Sequence, residues 1–348
     1  MLDQPRRALS AAVVLAPAVT FAIPCRDAGP FLRPLLESLL GQTRQDFELL
    51  LVDDGSRDDS VGLAREVAGS RVRVHRNETP RGIGGNWNRC VELVATPFFC
   101  LAHQDDVYEP RYLELLLAAL QARPHAALAH CRACAMDAGG SAFESLAERF
   151  KEHFWKRDPG QDRAAHYARL WSGNFLCCPT VLYRTEAVRK AGPFRTDLRF
   201  ALDWEYWFRL LRHGYGIVDV PELLMHYRRH AAAATATATA DRSRFDEELL
   251  VLDEARAAGI EAGLLPRTAR ASPALRNNLL HEAMTDLQAG RRAAVTQKLA
   301  FVKQRAPALW RDPYVRVFRS LWSFGAPGRL VLGLGRRIAV RYGLGGVS

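Results

Sequence analysis

Short apolar runs separated by helical stretches constrain this fold more than any other feature of the chain. Residues 18–23, 47–52 and 72–75 each read as a buried strand. Helical spacing fills the intervals: Phe31, Leu35, Leu36, Leu39 and Leu40 share one face of a helix over 31–40, and a second helix is expected from about 60 to 68. A further run, 98–102, is continuous in apolar residues, as strands of a parallel sheet are. Strands alternating with helices predict an α/β fold with a Rossmann-type, mostly parallel, doubly wound sheet. Three strand ends then meet on one edge, at 24–27, 53–56 and 103–106, and open α/β sheets bind their ligands at that edge.

The last strand end carries the most chemistry, because its apolar run stops on His103, Gln104, Asp105 and Asp106. Two adjacent carboxylates cannot both be buried bare without a cation. Oxygen ligands with no Cys or His cluster around them favour Mg²⁺ or Mn²⁺ over Zn²⁺, and such ions bridge one or two carboxylates to substrate phosphates. Taken alone, the pair reads equally as a solvated turn capping a helix over 108–120. Residues 77–90 form a glycine-rich loop that opens a helix; Gly82, Gly84 and Gly85 allow close backbone approach, and the helix start favours an anion. The Lys-Ser/Thr ending of a nucleotide-binding P-loop is missing. Further on, Asp203 lies near the start of a helix over 202–210, where the dipole favours its charged form, with Trp207 on the same face. Taken singly, Asp203 reads as an N-cap, and Trp204 and Trp207 as core.

With 348 residues the chain has room for one large α/β domain plus an appendage, or for two domains. Its net charge of +10 suits an anionic partner, and the charge is concentrated: residues 300–348 hold nine Lys and Arg against one acid, Asp312. Seven cysteines, an odd count with several inside apolar runs, fit the reduced thiols of a cytosolic protein. Cys131 and Cys134 have zinc-like spacing but no second pair, and read as strand packing. No segment reaches the ~18 uninterrupted apolar residues of a membrane span. Residues 8–23 are broken by Pro17 and lack a convincing cleavage site, so they read as a ragged N-terminus running into the first strand. Residues 231–240, an Ala/Thr run without amphipathic pattern, are expected to be disordered in the absence of ligand. Helices follow at 245–258, 274–288 and 293–302, with Gly290 turning the last two into a hairpin. After Pro307, aromatic residues alternate with Arg311, Arg316 and Arg319, a pattern that suits either an interfacial membrane helix or a helix packed on its own domain.

Pro24 to Ala28, Val52-Asp53-Asp54-Gly55-Ser56, Asn77 through Gly82 to Asn88, and Gln104-Asp105-Asp106, in that order and spacing, resemble the successive motifs of family 2 inverting glycosyltransferases with the GT-A fold. The resemblance covers residues 20–230, about two thirds of the chain. It implies a GT-A domain over 19–235, preceded by a ragged 1–18 and followed by a helical extension with a basic aromatic tail over 236–348. It also implies a metal-dependent enzyme that moves a sugar, with inversion, from a nucleotide diphosphate sugar to an acceptor hydroxyl. A UDP-linked donor, a saccharide or lipid-linked acceptor, and a place in bacterial-type cell-surface polysaccharide or glycolipid synthesis are expected. The expected location is cytoplasmic, with peripheral contact on the inner face of the membrane through the tail. By the same resemblance Pro24, Arg26, Asp53 and Asp54 line the nucleoside pocket, and Arg81, Gly82, Asn88, Gln104 and Asp105 belong to the nucleotide-sugar site. Asp105 and Asp106 hold Mn²⁺ or Mg²⁺. Tyr227-Arg228-Arg229-His230 fits the family's Tyr-Arg-X-His element, with Arg228 and Arg229 on the diphosphate and His230 completing the metal site. Asp203 is the general base, with Arg209 six residues on, and Glu205 is the rival base.

One departure stands out: the family normally has an acid where this chain has His103. That substitution keeps open a nucleotide-sugar-binding protein without catalysis. A basic nucleic-acid-binding protein is the third reading, but no recognition motif accompanies the charge, so no nucleic-acid partner is expected. Acceptor contacts are expected between 141 and 180, where Trp155, Tyr167 and Trp171 suit a sugar site and a core alike.

Overall fold

The computed structural model describes residues 16–143, 160, 162–230 and 243–325. Trp155, the 231–240 run and the tail beyond 325 lie outside the described residues.

The first hundred residues build strands and helices in alternation: β1 (Val19–Cys25), α1 (Leu32–Leu40), β2 (Phe47–Asp53), α2 (Ser60–Ala68), β3 (Val72–Arg76), α3 (Gly82–Leu93) and β4 (Phe98–Leu101). β1 pairs in parallel with β2 on one side and β4 on the other, and β2 with β3. Successive strand residues face opposite ways. Phe21, Ile23, Leu49 and Leu51 therefore enter a core beneath α1, α2 and α4 (Tyr112–Gln121), while Ala22, Leu50 and Val52 enter a second core with Trp87 and Cys90 of α3. Both faces of the sheet are covered, as a parallel sheet requires. α4 begins later than its apolar run suggests, because β5 (Val107–Tyr108) takes up the residues after the two acids.

Beyond β4 the sheet turns mixed. β6 (Ala126–Met136), β7 (Ala142–Phe143), α5 (Arg163–Ser172), β8 (Val181–Arg184), α6 (Thr185–Ala191), α7 (Leu202–Arg212) and β9 (Gly216–Arg228) follow in the chain. The strand order is β3-β2-β1-β4-β8-β6-β9-β5, with β7 on β6. β8 runs antiparallel to both neighbours, and β6 and β9 run parallel over a long ribbon that ends at Met136 opposite Arg228. Cys131 and Cys134 both lie on β6, and all seven cysteines are free thiols.

Five helices close the described chain: α8 (Ser243–Glu261), α9 (Pro273–Gln288), α10 (Arg292–Arg305), α11 (Pro307–Trp310) and α12 (Pro313–Ser323). Gly290, at φ +73°, makes the turn between α9 and α10. Phe245, Val251, Leu275, Val302 and Leu309 share one core cluster with Tyr167, Trp204 and Phe208. Tyr167, fully buried, donates its hydroxyl to the Ala255 carbonyl at 2.6 Å and is a core anchor.

Gly84 marks a close approach of backbone to backbone: a Cβ there would lie 2.8 Å from the Arg195 carbonyl oxygen. Backbone cannot give way as a flexible side chain can. Gly84→Ala should therefore cost about 1–3 kcal/mol, read as a lowered thermal midpoint. Gly216→Ala, where a Cβ meets nothing within 4 Å, should stay within about 0.5 kcal/mol of wild type.

Candidate active site

The loops after β1 and β2 are laced together by backbone N–H groups. Asp27 donates to Ser56 Oγ (2.9 Å), Ala28 to Ser60 Oγ (3.1 Å) and Gly29 to Asp58 Oδ2 (2.9 Å). Asp27 itself has φ +48°, a left-handed conformation that Asp tolerates better than most residues. Its carboxylate accepts the Arg57 N–H at 2.7 Å, which is the first cause of its lowered pKa. Asp53 is fully buried; Oδ1 accepts the Ser56 N–H at 3.0 Å, and Arg76 Nε approaches Oδ2 at 3.2 Å as an ion pair. Pro24 sits opposite Val52 in the β1–β2 register, half-buried, and the exposed Arg26 leads out of the strand.

Asp54 is the surprise of this half. Its Oδ1 accepts Asn77 Nδ2 (2.8 Å) and the Arg81 N–H (2.7 Å), and its Oδ2 accepts the Gly82 N–H (3.0 Å). The anion at the start of α3 is thus the protein's own carboxylate, where the sequence suggested a ligand. Gly82 is required by its φ of +71°, and Gly84 by the close pass of Arg195. Asn88 is likewise spent on the protein, clamping the Phe194 backbone by Nδ2 to O (2.9 Å) and N to Oδ1 (2.7 Å). Gln104 clamps the Arg26 backbone the same way, at 2.8 and 3.1 Å. These side chains position the site, and the exposed Arg26 and Arg81 are the ones that face solvent.

At the end of β4 the two acids part company. Asp106 is 3 % exposed and accepts the Arg228 N–H at 2.9 Å; burial first, then Asp105 beside it, push its carboxyl well above the usual range. Asp105 is more open and pairs Oδ2 with His230 Nε2 at 2.8 Å, while among the described residues no donor meets its Oδ1. The His230 ring lies 4.8 Å from the Phe31 ring. Arg228 points away from solvent, donating Nε to the Asp105 carbonyl (2.9 Å) and Nη1 to the carbonyls of Asp137 and Ala138 (3.1 Å each). It fixes the acids' backbone, and the exposed Arg229, held by the Tyr227 hydroxyl at 3.2 Å, is the cation left toward solvent. Among the described residues no three or more His, Cys, Asp and Glu side chains gather into a metal cage. His103 rests 5.5 Å from the Trp87 ring with a buried Nε2 that meets no hydrogen-bond partner, and burial lowers its pKa against the pull of Asp105.

The second half carries Asp203. It opens α7, half-buried, and its Oδ1 accepts the Trp204 N–H at 2.6 Å. Trp204 Nε1 donates to the Leu170 carbonyl and Trp207 Nε1 to the Tyr183 hydroxyl, both at 3.0 Å, so the two tryptophans are core that seats the helix. The rival acid, Glu205, is bound at both oxygens by Arg209 (3.0 and 2.6 Å), which also donates to the carbonyls of Ala191 and Pro193. Between the halves lies Cys178, whose thiol is pushed well up by burial and then by Asp203, with Asp106 contributing as well. Both carboxylates are within electrostatic reach of that one thiol. Trp87 completes the bridge, touching His103 on one side and the Phe194 ring (5.4 Å) on the other.

Glu247 of α8 escaped the sequence reading. Its carboxylate accepts the N–H groups of Arg199, Phe200 and Ala201 at 2.7–3.1 Å, the turn that leads directly into Asp203. Helical periodicity alone gave no signal for it, since a Glu on an amphipathic helix reads as solvated face.

Residues 20–192 match the model of "Glycosyl transferase family 2". The chain is 27 % identical over 224 residues to the putative glycosyltransferase EpsH of Bacillus subtilis, a match covering 62 % of each protein. It is also 27 % identical over 198 residues to a PGL/p-HBAD biosynthesis glycosyltransferase of Mycobacterium bovis, covering 56 % of this chain and 70 % of the relative. Among solved structures, Staphylococcus aureus TarS (residues 1–349) in complex with UDP-GlcNAc superposes with a TM-score of 0.55 at 15 % identity, covering 93 % of this chain and 92 % of that one. The Pyrobaculum calidifontis mannosyltransferase PcManGT, with GDP-Man and Mn²⁺, gives the same score and identity over 94 % and 81 %. With the motifs at the sheet edge and the GT-A fold behind them, the chain is an enzyme of glycosyltransferase family 2.

Proposed function

We propose that this enzyme moves a sugar, with inversion, from a UDP-linked sugar to an acceptor hydroxyl, within a catalytic domain over 19–235 that the helices described between Ser243 and Ser323 support. What supports the reading is that neighbouring parallel strands end at Asp53 and just before Asp105, while Asp203 and Asp106 both act on the one Cys178 thiol. Asp53 and Arg26 line the nucleoside side, with Pro24 as the wall of the pocket. Asp105 and His230 fit Mn²⁺ or Mg²⁺, because a carboxylate with an oxygen free of protein donors and an imidazole beside it leave the other positions to phosphate and water. A divalent ion there would stabilise the charge of the departing diphosphate. Arg229 and Arg81 are the cations in a position to meet phosphate oxygens, while Asp106, Arg228, Asp54, Gln104 and Asn88 hold the frame. Asp203 takes the proton of the attacking hydroxyl. The two-point pairing of Glu205 with Arg209 supports Asp203 over it in that role.

TarS with UDP-GlcNAc and PcManGT with GDP-Man and Mn²⁺ support a nucleotide-sugar donor and a divalent ion on this fold. The relative in PGL/p-HBAD biosynthesis supports a saccharide or lipid-linked acceptor of the cell surface. Such an acceptor brings the enzyme to a membrane surface through its C-terminal segment.

Asp203→Asn should still bind the donor but transfer sugar about 10²–10⁴-fold more slowly; near-normal turnover would reject Asp203 as base. Removing divalent ions with a chelator should abolish transfer, with Mn²⁺ or Mg²⁺ restoring it, and chelator-resistant transfer would reject the metal role of Asp105. Glu247→Ala releases the turn before Asp203 and should lower kcat about 10–100-fold with a smaller change in donor affinity, as measured by steady-state kinetics.

A further inference from the structure

α12 is apolar over a wider arc than it buries. At 100° per residue, Val315 and Phe318 turn inward and are buried, with Trp322 beside them against α9 and α10. A helix needs one such stripe to pack on its domain. On the flank next to that stripe Tyr314, Val317 and, at the C-cap, Phe324 fall within an arc of about 80° and are 66 %, 60 % and 71 % exposed. Scattered exposed apolar residues are ordinary, whereas an aligned set is a contact surface.

The rim of this strip is cationic. Arg316 of α12 and Arg311 of the turn before it are exposed, and the Arg276 guanidinium lies 4.8 Å from the centre of the Tyr314 ring. The acid in the segment, Asp312, is occupied with capping α12 through the Tyr314 N–H (2.9 Å) and with Arg276 (3.4 Å). No helix among the described residues is long and apolar enough to cross a membrane, so an apolar strip with a basic rim has the character of a surface that lies on lipid. A second copy of the chain is a poorer occupant, since a two-fold contact of this strip with itself would bring the same arginines together.

We propose that α12 docks flat on an anionic lipid bilayer, with Tyr314, Val317 and Phe324 entering the boundary between headgroups and acyl chains and Arg311 and Arg316 on the lipid phosphates. This deepens the proposed function by naming the surface at which the acceptor is met, and it rests on that reading only for what the acceptor is.

The test is co-sedimentation of the full-length protein with phosphatidylcholine vesicles, with and without phosphatidylglycerol. Donor hydrolysis without lipid is measured in parallel. The protein should bind the phosphatidylglycerol vesicles and bind pure phosphatidylcholine more weakly. The double variant Val317→Ser, Phe324→Ser should weaken that binding roughly tenfold or more, and Arg311→Gln or Arg316→Gln about fivefold each. Thermal midpoint and donor hydrolysis should not change in any of them. Absence of binding to anionic vesicles, binding by the double variant at wild-type strength, or a solution dimer that the double variant dissociates would each overturn the proposal. Because vesicle binding needs no nucleotide sugar, loss of donor hydrolysis with vesicle binding intact counts against the transfer reading and leaves the docking surface standing.

Discussion

The buried carboxylate of Asp54 is the constraint from which the site is built. At 2 % exposure it has to be hydrogen-bonded in full, since a buried charge without partners costs far more than the fold has to spare. It meets that demand with the Asn77 amide and the first N–H groups of α3. The position of α3 follows. Its Trp87 meets His103 and Phe194, its Gly84 lets the Arg195 backbone pass, and its Asn88 holds Phe194. One carboxylate just past β2 thus sets the position of α3 between the strand-end loops and the backbone at Phe194 and Arg195.

The second constraint comes from the far end of the ribbon between β6 and β9. Where that ribbon ends, Arg228 gives its N–H to Asp106 and its guanidinium to three carbonyls, including that of Asp105. The effect is a division of labour between two neighbouring acids. Asp106 is shielded and structural, and Asp105 is left beside His230 with an oxygen to offer. The helical extension adds a third support by placing Glu247 under the turn before Asp203, so the C-terminal helices shape the catalytic edge and share its core.

Much of this was legible from residues 16–110, because period-two and period-3.6 patterns report burial directly and burial dictates which elements form. The spans of α2 and β2 fall almost where the pattern places them. The glycines of 82–85 were legible as a close-approach loop but not as to what approaches, because a glycine reports missing volume and not the identity of the neighbour. Tyr167 illustrates the same limit: its type fits a sugar site and a core alike, and its burial with a hydrogen bond to the Ala255 carbonyl decides for core.

The sequence by itself determined the alternating α/β frame, the edge at which its strands end, and the presence there of Asp53 and Asp105, since these depend on local periodicity and on order along the chain. The tertiary structure alone decided which of the polar residues remain available to a ligand. Whether Asp54, Asn88, Gln104, Arg228 or Glu205 faces solvent depends on partners 4 to 123 residues away. The reversal of strand direction at β8 was decided there too, because periodicity records which face of a strand is buried and carries no record of its direction.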